Sequence, residues 1–191
     1  QHDRAVENAD QVKRVLEDAP SLGATVPNFY CWSALARLIT YPDAGPAEKR
    51  RILKEAGNSI QKLKQLARQS PVNYQHKLDL VLAERHRVLG QDSEALALYD
   101  RAVRGAQEND YTYDVAMANE MAARLYLDQN RISIARSYLT EARYAYLRWG
   151  AAAKVQDLEE KYPDLTLEAS APGQPTFLSG LTEVTTTSSD A

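Results

Sequence analysis

The amino-acid sequence predicts an all-α fold made of stacked antiparallel helix pairs. Three observations lead to this prediction. Apolar residues recur at helical spacing through most of the first 162 residues, Gly and Pro number only 8 each in 191 residues, and two adjoining segments match each other at a constant offset. A stack of helix pairs accounts for all three, because each pair buries its apolar stripe on its neighbours.

The first predicted elements are a leading helix over residues 5–16 and a helix pair over residues 28–69. In the first helix of that pair, Asn28 can serve as N-cap, Pro42 ends the segment, and aromatic and aliphatic residues share one face: Phe29, Trp32, Leu35, Ala36 and Ile39. The second helix begins near Pro46. Its lysines and arginines lie mainly off the apolar stripe, which indicates a solvent-exposed face rather than a binding strip.

The next two predicted pairs, over residues 73–108 and 114–149, form an internal repeat. Ser93 aligns with Ser133, Ala95 with Ala135 and Ala102 with Ala142, all at an offset of 40 residues. The same offset aligns Gly90 with Asn130, the two residue types that most readily close a helix in the left-handed conformation. Because a period near 40 lies between the roughly 34 residues of tetratricopeptide repeats and the roughly 40 to 47 of longer two-helix repeats, a tetratricopeptide-like superhelix is predicted.

A closing helix is predicted over residues 151–162, after the Trp149–Gly150 step. Gly150 is expected to end the preceding helix in a left-handed cap, and Trp149 to pack at the end of the stripe that begins at Ala135. Residues 1–165 are therefore assigned to one helical-repeat domain. Residues 166–191 are rich in Ser, Thr and Pro and are predicted to be a flexible linker.

Composition argues against several classes of function. The formal charge of -3 and the lack of a basic block argue against nucleic acid as a partner. No apolar run approaches the roughly 18 residues that a membrane span requires. The single cysteine, Cys31, cannot form an internal disulfide, and this is consistent with a cytoplasmic location.

No motif for catalysis, metal binding or cofactor binding is recognisable. The sequence contains no phosphate-binding glycine loop, Gly-x-Ser-x-Gly elbow or His-Glu-x-x-His motif. His2, His76 and His86 are interpreted as surface or boundary residues, and Cys31 as a buried structural thiol. The acidic run QDLEEKYPD lacks the spacing of a calcium loop and is interpreted as helix-surface charge. Three tyrosines lie on or beside the apolar stripes and are expected to fill space between helices: Tyr99, Tyr138 and Tyr146.

A partner-binding face is predicted on the first helices of the repeated pairs. In a superhelix of helix pairs these helices usually line the concave surface. That surface would carry five polar residues and form a mildly basic groove for an acidic peptide or a neighbouring domain: Glu84, Arg87, Gln91, Arg124 and Arg131.

Three segments carry a family resemblance: FYCWSALARLITYP, SPVNYQHKLDLVLAERHRVLGQDSEALALYDRAVRGAQENDY and ANEMAARLYLDQNRISIARSYLTEARYAYLRWGAAAKVQDLEEKYP. They resemble the helical-repeat region of large bacterial and fungal signalling kinases. In that family a serine/threonine-kinase-like domain is followed by an AAA-type ATPase module, this region, a GAF domain and commonly a histidine kinase. The Thr/Ser-rich end resembles the linker to the GAF domain.

The resemblance implies a non-catalytic scaffold segment that contacts other domains of the same chain or protein partners. No cofactor is expected in the segment itself, whereas the parent protein would be a protein kinase that uses ATP. A second hypothesis is a free-standing adaptor that binds a peptide in its groove. A third is an enzyme in its own right, which turnover of a nucleotide or phosphoester by the purified segment would support.

Overall fold

The computed structural model describes residues 6–8, 11–12 and 26–166, and all regular structure in this part of the chain is α-helical. Residues 6–8 and 11–12, within the predicted leading helix, are helical. The linker predicted over residues 166–191 lies outside the described residues apart from Thr166. Eight helices span the continuous part: α1 Val26–Thr40, α2 Pro46–Gln69, α3 Pro71–Val88, α4 Asp92–Glu108, α5 Thr112–Asp128, α6 Ile132–Trp149, α7 Ala152–Lys161 and α8 Pro163–Thr166.

Consecutive helices pack against each other, and short connections make them antiparallel pairs: α1 with α2, α3 with α4, and α5 with α6. The first helices of the pairs also touch one another, because α1 packs on α3 and α3 on α5. Among the described helices, the backbone of α4 approaches neither α2 nor α6 as closely, and α4 and α6 are joined by the side-chain hydrogen bond from Tyr138 to Asp100. The first helices therefore form one closely packed layer, while the second helices form a more widely spaced layer.

Left-handed residues end four successive helices at a spacing of 20 residues. Gly90, Asp110, Asn130 and Gly150 have φ angles of 71°, 59°, 57° and 84°. At each position the next residue donates its backbone N–H to the carbonyl five residues before it, as Gln91 does to His86 and Arg131 to Tyr126. The helices that follow begin at residues 92, 112, 132 and 152. The 40-residue sequence repeat is therefore two 20-residue helix units.

Small residues at matching positions bring the helices of each pair together. Ala95 and Ala135 are fully buried, as are Ala102 and Ala142 to within 2%. Because an alanine adds only one methyl group to the helix surface, backbones can approach closely at these sites. Gly105 allows an even closer approach of α4 to α3, since a Cβ atom placed there would lie 3.3 Å from Cβ of His76 on α3. The predicted role of the alanines in close helix packing is confirmed.

Large side chains fill the space between the closely spaced helices. Tyr99 and Tyr146 are buried, as predicted. Tyr138 is only partly buried; it stacks on Tyr126 at 5.2 Å between ring centroids and donates a 2.5 Å hydrogen bond to Asp100. The prediction for Trp149 was wrong, because this side chain is 56% exposed and packs against Tyr113 instead of ending the α6 stripe.

Candidate functional site

A cavity of about 650 Å³ lies along the closely packed layer of first helices, and we call it the inner groove. One wall is the face of α1 on which the sequence places aromatic and aliphatic residues together. The opposite wall belongs to α5, with Tyr113, Met117 and Met121, and Asn8 and Val12 also border the groove. A groove of this volume, mostly apolar with a few convergent polar groups, has the general character of a binding site.

The apolar face of α1 that the spacing predicts is only partly buried. Phe29, Trp32, Leu35, Ala36 and Ile39 all line the inner groove. Phe29 and Leu35 are buried, whereas Trp32 is 39% exposed. The residues of α1 that point deepest into the core are Cys31, Ala34 and Leu38. The aromatic stripe therefore forms a wall of the groove in addition to contributing to packing.

The five residues predicted to form a partner-binding face are separated by the structure. Glu84 and Arg124 line the inner groove, whereas Arg87, Gln91 and Arg131 do not. Gln91 accepts a 2.7 Å hydrogen bond from Nδ1 of His86, and Arg131 places its guanidinium 5.1 Å from the centre of the Tyr126 ring. A binding role for these five residues stays a prediction, and the geometry favours Glu84 and Arg124 as the pair that shares one site.

Glu84 is buried on α3 with both carboxylate oxygens engaged. The hydroxyl of Tyr99 donates a 2.8 Å hydrogen bond to one oxygen, and Arg87 pairs with the other at 2.9 Å. Burial and the adjacent carboxylate raise the pKa of Tyr99 well above its ordinary value, so the phenol keeps its proton to donate. Glu84 is therefore neutralised by its own neighbours.

Glu120 on α5 has an equivalent set of partners that the sequence did not reveal. The hydroxyl of Tyr146 donates a 2.7 Å hydrogen bond to it, and Nζ of Lys154 lies 3.2 Å away. Burial, followed by the charge of Glu120, raises the pKa of Tyr146, whereas Glu120 and Asp157 together keep the pKa of Lys154 above its ordinary value despite partial burial. Both carboxylates of the groove thus have a cation and a tyrosine hydroxyl.

Arg124 is the one cation lining the described part of the groove that makes no ion pair or hydrogen bond. Its Nε is buried and has no hydrogen-bond partner. Its charge acts on the phenols of Tyr99 and Tyr146, where it opposes the rise in pKa that burial causes. A buried unsatisfied donor costs about 1–3 kcal/mol, so an unpaired guanidinium at this position favours an anionic group.

A buried ionic cluster joins α3 to α5 beside the groove. His76 donates from Nε2 to Asp114 over 2.8 Å, Lys77 also pairs with Asp114, and Tyr111 stacks on His76 at 4.5 Å. Burial acts to raise the pKa of Asp114, but the hydrogen bonds and charges of His76 and Lys77 outweigh it and hold that pKa below its usual value. His76 is only 3% exposed, so the prediction of a surface or boundary histidine was wrong for this residue.

An aromatic cluster extends from the inner groove to an adjoining cavity of about 750 Å³. Tyr113 lies at its centre, with ring centroids 5.4 Å from Trp32 and 4.4 Å from Trp149. Trp32, Tyr113 and Lys154 line both cavities. The two cavities therefore share walls and together form an elongated surface.

The remaining candidates for chemistry are structural. Cys31 is buried, and burial raises the pKa of its thiol to about 12, as expected for a structural cysteine. In the part of the chain that the structure describes, no group of His, Cys, Asp and Glu side chains is arranged to hold a metal ion. His2 lies outside the described residues.

The geometry first defines a class: an all-α protein of packed helix pairs with an apolar groove that carries one unpaired cation. No family model matches the chain, and no solved structure matches it significantly. Among curated proteins, 113 residues, or 59% of this chain, are 34% identical to "Hybrid signal transduction histidine kinase G" of Dictyostelium discoideum. The chain is therefore related in sequence to a signalling kinase. The aligned part is only about 3% of that relative's length.

Proposed function

We propose that this chain is a helical-repeat scaffold segment of a multidomain signal-transduction kinase, where it makes contacts between domains or with protein partners. The 34% identity to part of a hybrid histidine kinase carries this proposal. Because the aligned residues are a small part of that relative, kinase activity would belong to other parts of the parent protein. Serine/threonine-kinase-like, ATPase and GAF modules in that parent, its use of ATP and a cytoplasmic location are parts of the same proposal.

The helix arrangement supports a tetratricopeptide-like superhelix. The first helices of the three pairs pack closely on one another and the second helices are spaced more widely, as expected for a stack that curves with its first helices inside. The 20-residue spacing of the left-handed caps is consistent with such a regular stack, because the same backbone turn recurs between successive helices. Scaffolds of this kind present an extended inner surface to partners.

In the described part of the chain, the first helices border an open apolar groove instead of a closed core. This supports a role in contacts with other polypeptides. Trp32 is 39% exposed beside Tyr113, although both could be buried by a further element. Aromatic and methionine side chains are favoured in contact surfaces because they offer large areas and adapt their shape. The inner groove is therefore the region that we expect neighbouring polypeptide to contact.

No helix in the described ranges is long and apolar enough to cross a membrane.

Sequencing the gene on both sides of this chain tests the proposal most directly. We expect a phosphate-binding loop encoded upstream and GAF and histidine-kinase motifs encoded downstream. If neither is present, the scaffold proposal is wrong. In the full-length protein, Trp32→Ala at the exposed edge of the groove should change phosphorylation output without changing expression, whereas the surface variant Glu160→Gln should leave the output unchanged.

A second candidate function, a free-standing adaptor that binds a peptide, is favoured by the same groove and its unpaired Arg124. A stop codon just after Ala191, together with peptide binding that Arg124→Glu abolishes, would favour the adaptor over the scaffold.

A further inference from the structure

We propose that the inner groove is occupied by a segment of the same chain, residues 177–184, with Glu183 paired to Arg124. The proposal rests on the contact role proposed above for the groove, and it names the polypeptide that makes the contact. Docking of this segment would attach the residues that follow the helical stack to its inner surface. A neighbouring domain could then influence the stack by binding or releasing one short segment.

The charge of the groove defines the first requirement for an occupant. Glu84 is neutralised by Arg87 and Glu120 by Lys154, so neither carboxylate calls for an additional cation. Arg124 has no such partner among the described residues, and its Nε is buried. Because a guanidinium binds a carboxylate through well-aligned charge-assisted hydrogen bonds, the occupant should bring one carboxylate to this position.

The walls of the groove define the second requirement. Phe29, Trp32 and Leu35 line the groove together with Met117 and Met121. A strongly charged or highly polar occupant would lose hydration here without compensation. The expected occupant is therefore an apolar segment with a single acidic residue.

The segment FLSGLTEV, residues 177–184, satisfies both requirements. Between residues 168 and 191 its four members are the only large apolar side chains, Phe177, Leu178, Leu181 and Val184. Glu183 is the only acidic residue within it. The flanking residues are mostly Ser, Thr, Pro, Gly and Ala. This segment is consequently the part of the tail that can gain most from burial.

The path from the last helix to the groove is short enough. Helix α8 packs on α6 and α7, which supply Tyr146 and Lys154 to the groove. The phenol of Tyr162, just before α8, lies within range of the charges of Arg124 and Glu120. The 11 residues from Thr166 to Phe177 span up to about 36 Å when extended, so the segment can reach Arg124 from this end.

Trp32 provides a reporter of docking in the full chain, because it lines the groove and is partly exposed. In a Trp149→Phe background, Trp32 is the single tryptophan. Docking should shield it from acrylamide and shift its emission to shorter wavelength. Glu183→Gln, which lies outside the helical stack, should weaken the docking equilibrium roughly tenfold, since a charge-assisted hydrogen bond contributes about that much.

A charge exchange makes the test specific. Arg124→Glu and Glu183→Arg should each increase quenching of Trp32, and the double variant should restore the shielding of the unsubstituted chain. Arg131→Glu removes a cation outside the groove and serves as the matched control, with no expected change. Helix content measured by circular dichroism shows that each variant is folded.

Three results would overturn the proposal. The first is quenching of Trp32 that is the same in the parent chain, Glu183→Gln and a variant with Phe177, Leu178 and Leu181 replaced by alanine. The second is a double variant that fails to restore shielding. The third is shielding that disappears on dilution, which would assign the groove to a second copy of the chain. None of these results bears on the flanking modules, so failure here is distinguishable from failure of the scaffold proposal.

Discussion

The helix pairs α3–α4 and α5–α6 each contain a buried glutamate that is hydrogen-bonded to a buried tyrosine, but the two hydrogen bonds lie at different positions along the helices. In the first pair Glu84 accepts from Tyr99, and in the second Glu120 accepts from Tyr146. On the 40-residue offset, Glu120 corresponds to position 80, one helical turn before Glu84. Tyr146 corresponds to position 106, two turns after Tyr99. Because the helices are antiparallel, both changes move the hydrogen bond toward the same end of the pair.

This displacement changes the position equivalent to Glu84. That position is Arg124, and it no longer has a buried carboxylate or a tyrosine hydroxyl as a hydrogen-bond partner. The backbone of the two pairs is otherwise alike, with left-handed residues at 90 and 130 and the same hydrogen bonds after each. The two pairs therefore share one backbone conformation, although the equivalent position holds a paired acid, Glu84, in the first pair and an unpaired base, Arg124, in the second.

The largest effect on stability is expected from removing the ionic contact between the two helix pairs. Asp114→Asn removes the charge that holds His76 and Lys77 of α3 against α5. Losing one member of a buried ionic cluster leaves Lys77 uncompensated, so the free energy of unfolding should fall by about 3 kcal/mol. Guanidinium denaturation followed by circular dichroism at pH 7 measures this, with exposed Glu160→Gln as an unchanged control.

The same variant should show a defined pH dependence. The folded-state pKa of Asp114 lies below its usual 3.8, so its contribution to stability is present above that value and is lost as pH falls through the folded-state pKa. The difference in unfolding free energy between the parent chain and Asp114→Asn should therefore shrink below about pH 4. A difference that stays constant down to pH 3 would contradict an ionised Asp114 in the folded protein.

An intermediate effect is expected from the two displaced hydrogen bonds. Tyr99→Phe and Tyr146→Phe each remove the donor to a buried glutamate, and each should lower the free energy of unfolding by about 1–2 kcal/mol. The two tyrosines are both buried to within 1%, so the two losses should agree within about 0.5 kcal/mol. Thermal and denaturant unfolding can compare them. A much smaller loss for one variant would mean that the two pairs are not energetically alike.

A smaller effect is expected at the left-handed caps. Gly90→Ala places a Cβ in a left-handed conformation and should lower stability by about 1 kcal/mol, although no atom lies within 4 Å of that Cβ. Asn130→Gly should have the opposite sign and raise stability by some tenths of a kcal/mol. Opposite shifts in the melting temperature would support the equivalence of the two caps, and equal signs would contradict it.

Much of the helical arrangement was predictable because it depends on local signals. Apolar spacing and the matched Gly90 and Asn130 indicated helix pairs and their turns. The 20-residue unit was missed because Asp110 ends a helix in the left-handed conformation without being glycine or asparagine. Aspartate tolerates that conformation less often, so its identity alone is a weak signal.

The candidate site depended on contacts that are distant in sequence. His76 was assigned to the surface because its partner, Asp114, lies 38 residues away. The aromatic face of α1 was recognised, but its spacing does not show whether a helix or a groove lies opposite. Likewise Arg124 was proposed together with Arg87 and Arg131, and only the structure separates a paired or ring-stacked arginine from one without a partner.

The most direct test of this account compares Glu84→Gln with Arg124→Gln by denaturant unfolding of the full chain carrying Glu183→Gln, in which the proposed ion pair between Glu183 and Arg124 is absent. Glu84→Gln should lower the free energy of unfolding by about 2 kcal/mol, because Arg87 loses the charge that compensates it. Arg124→Gln should not lower it by more than about 0.5 kcal/mol, because that side chain makes no ion pair within the described structure. If Arg124→Gln is as destabilising as Glu84→Gln, Arg124 is a structural residue and the central claim, that its guanidinium is available to bind a carboxylate, is wrong.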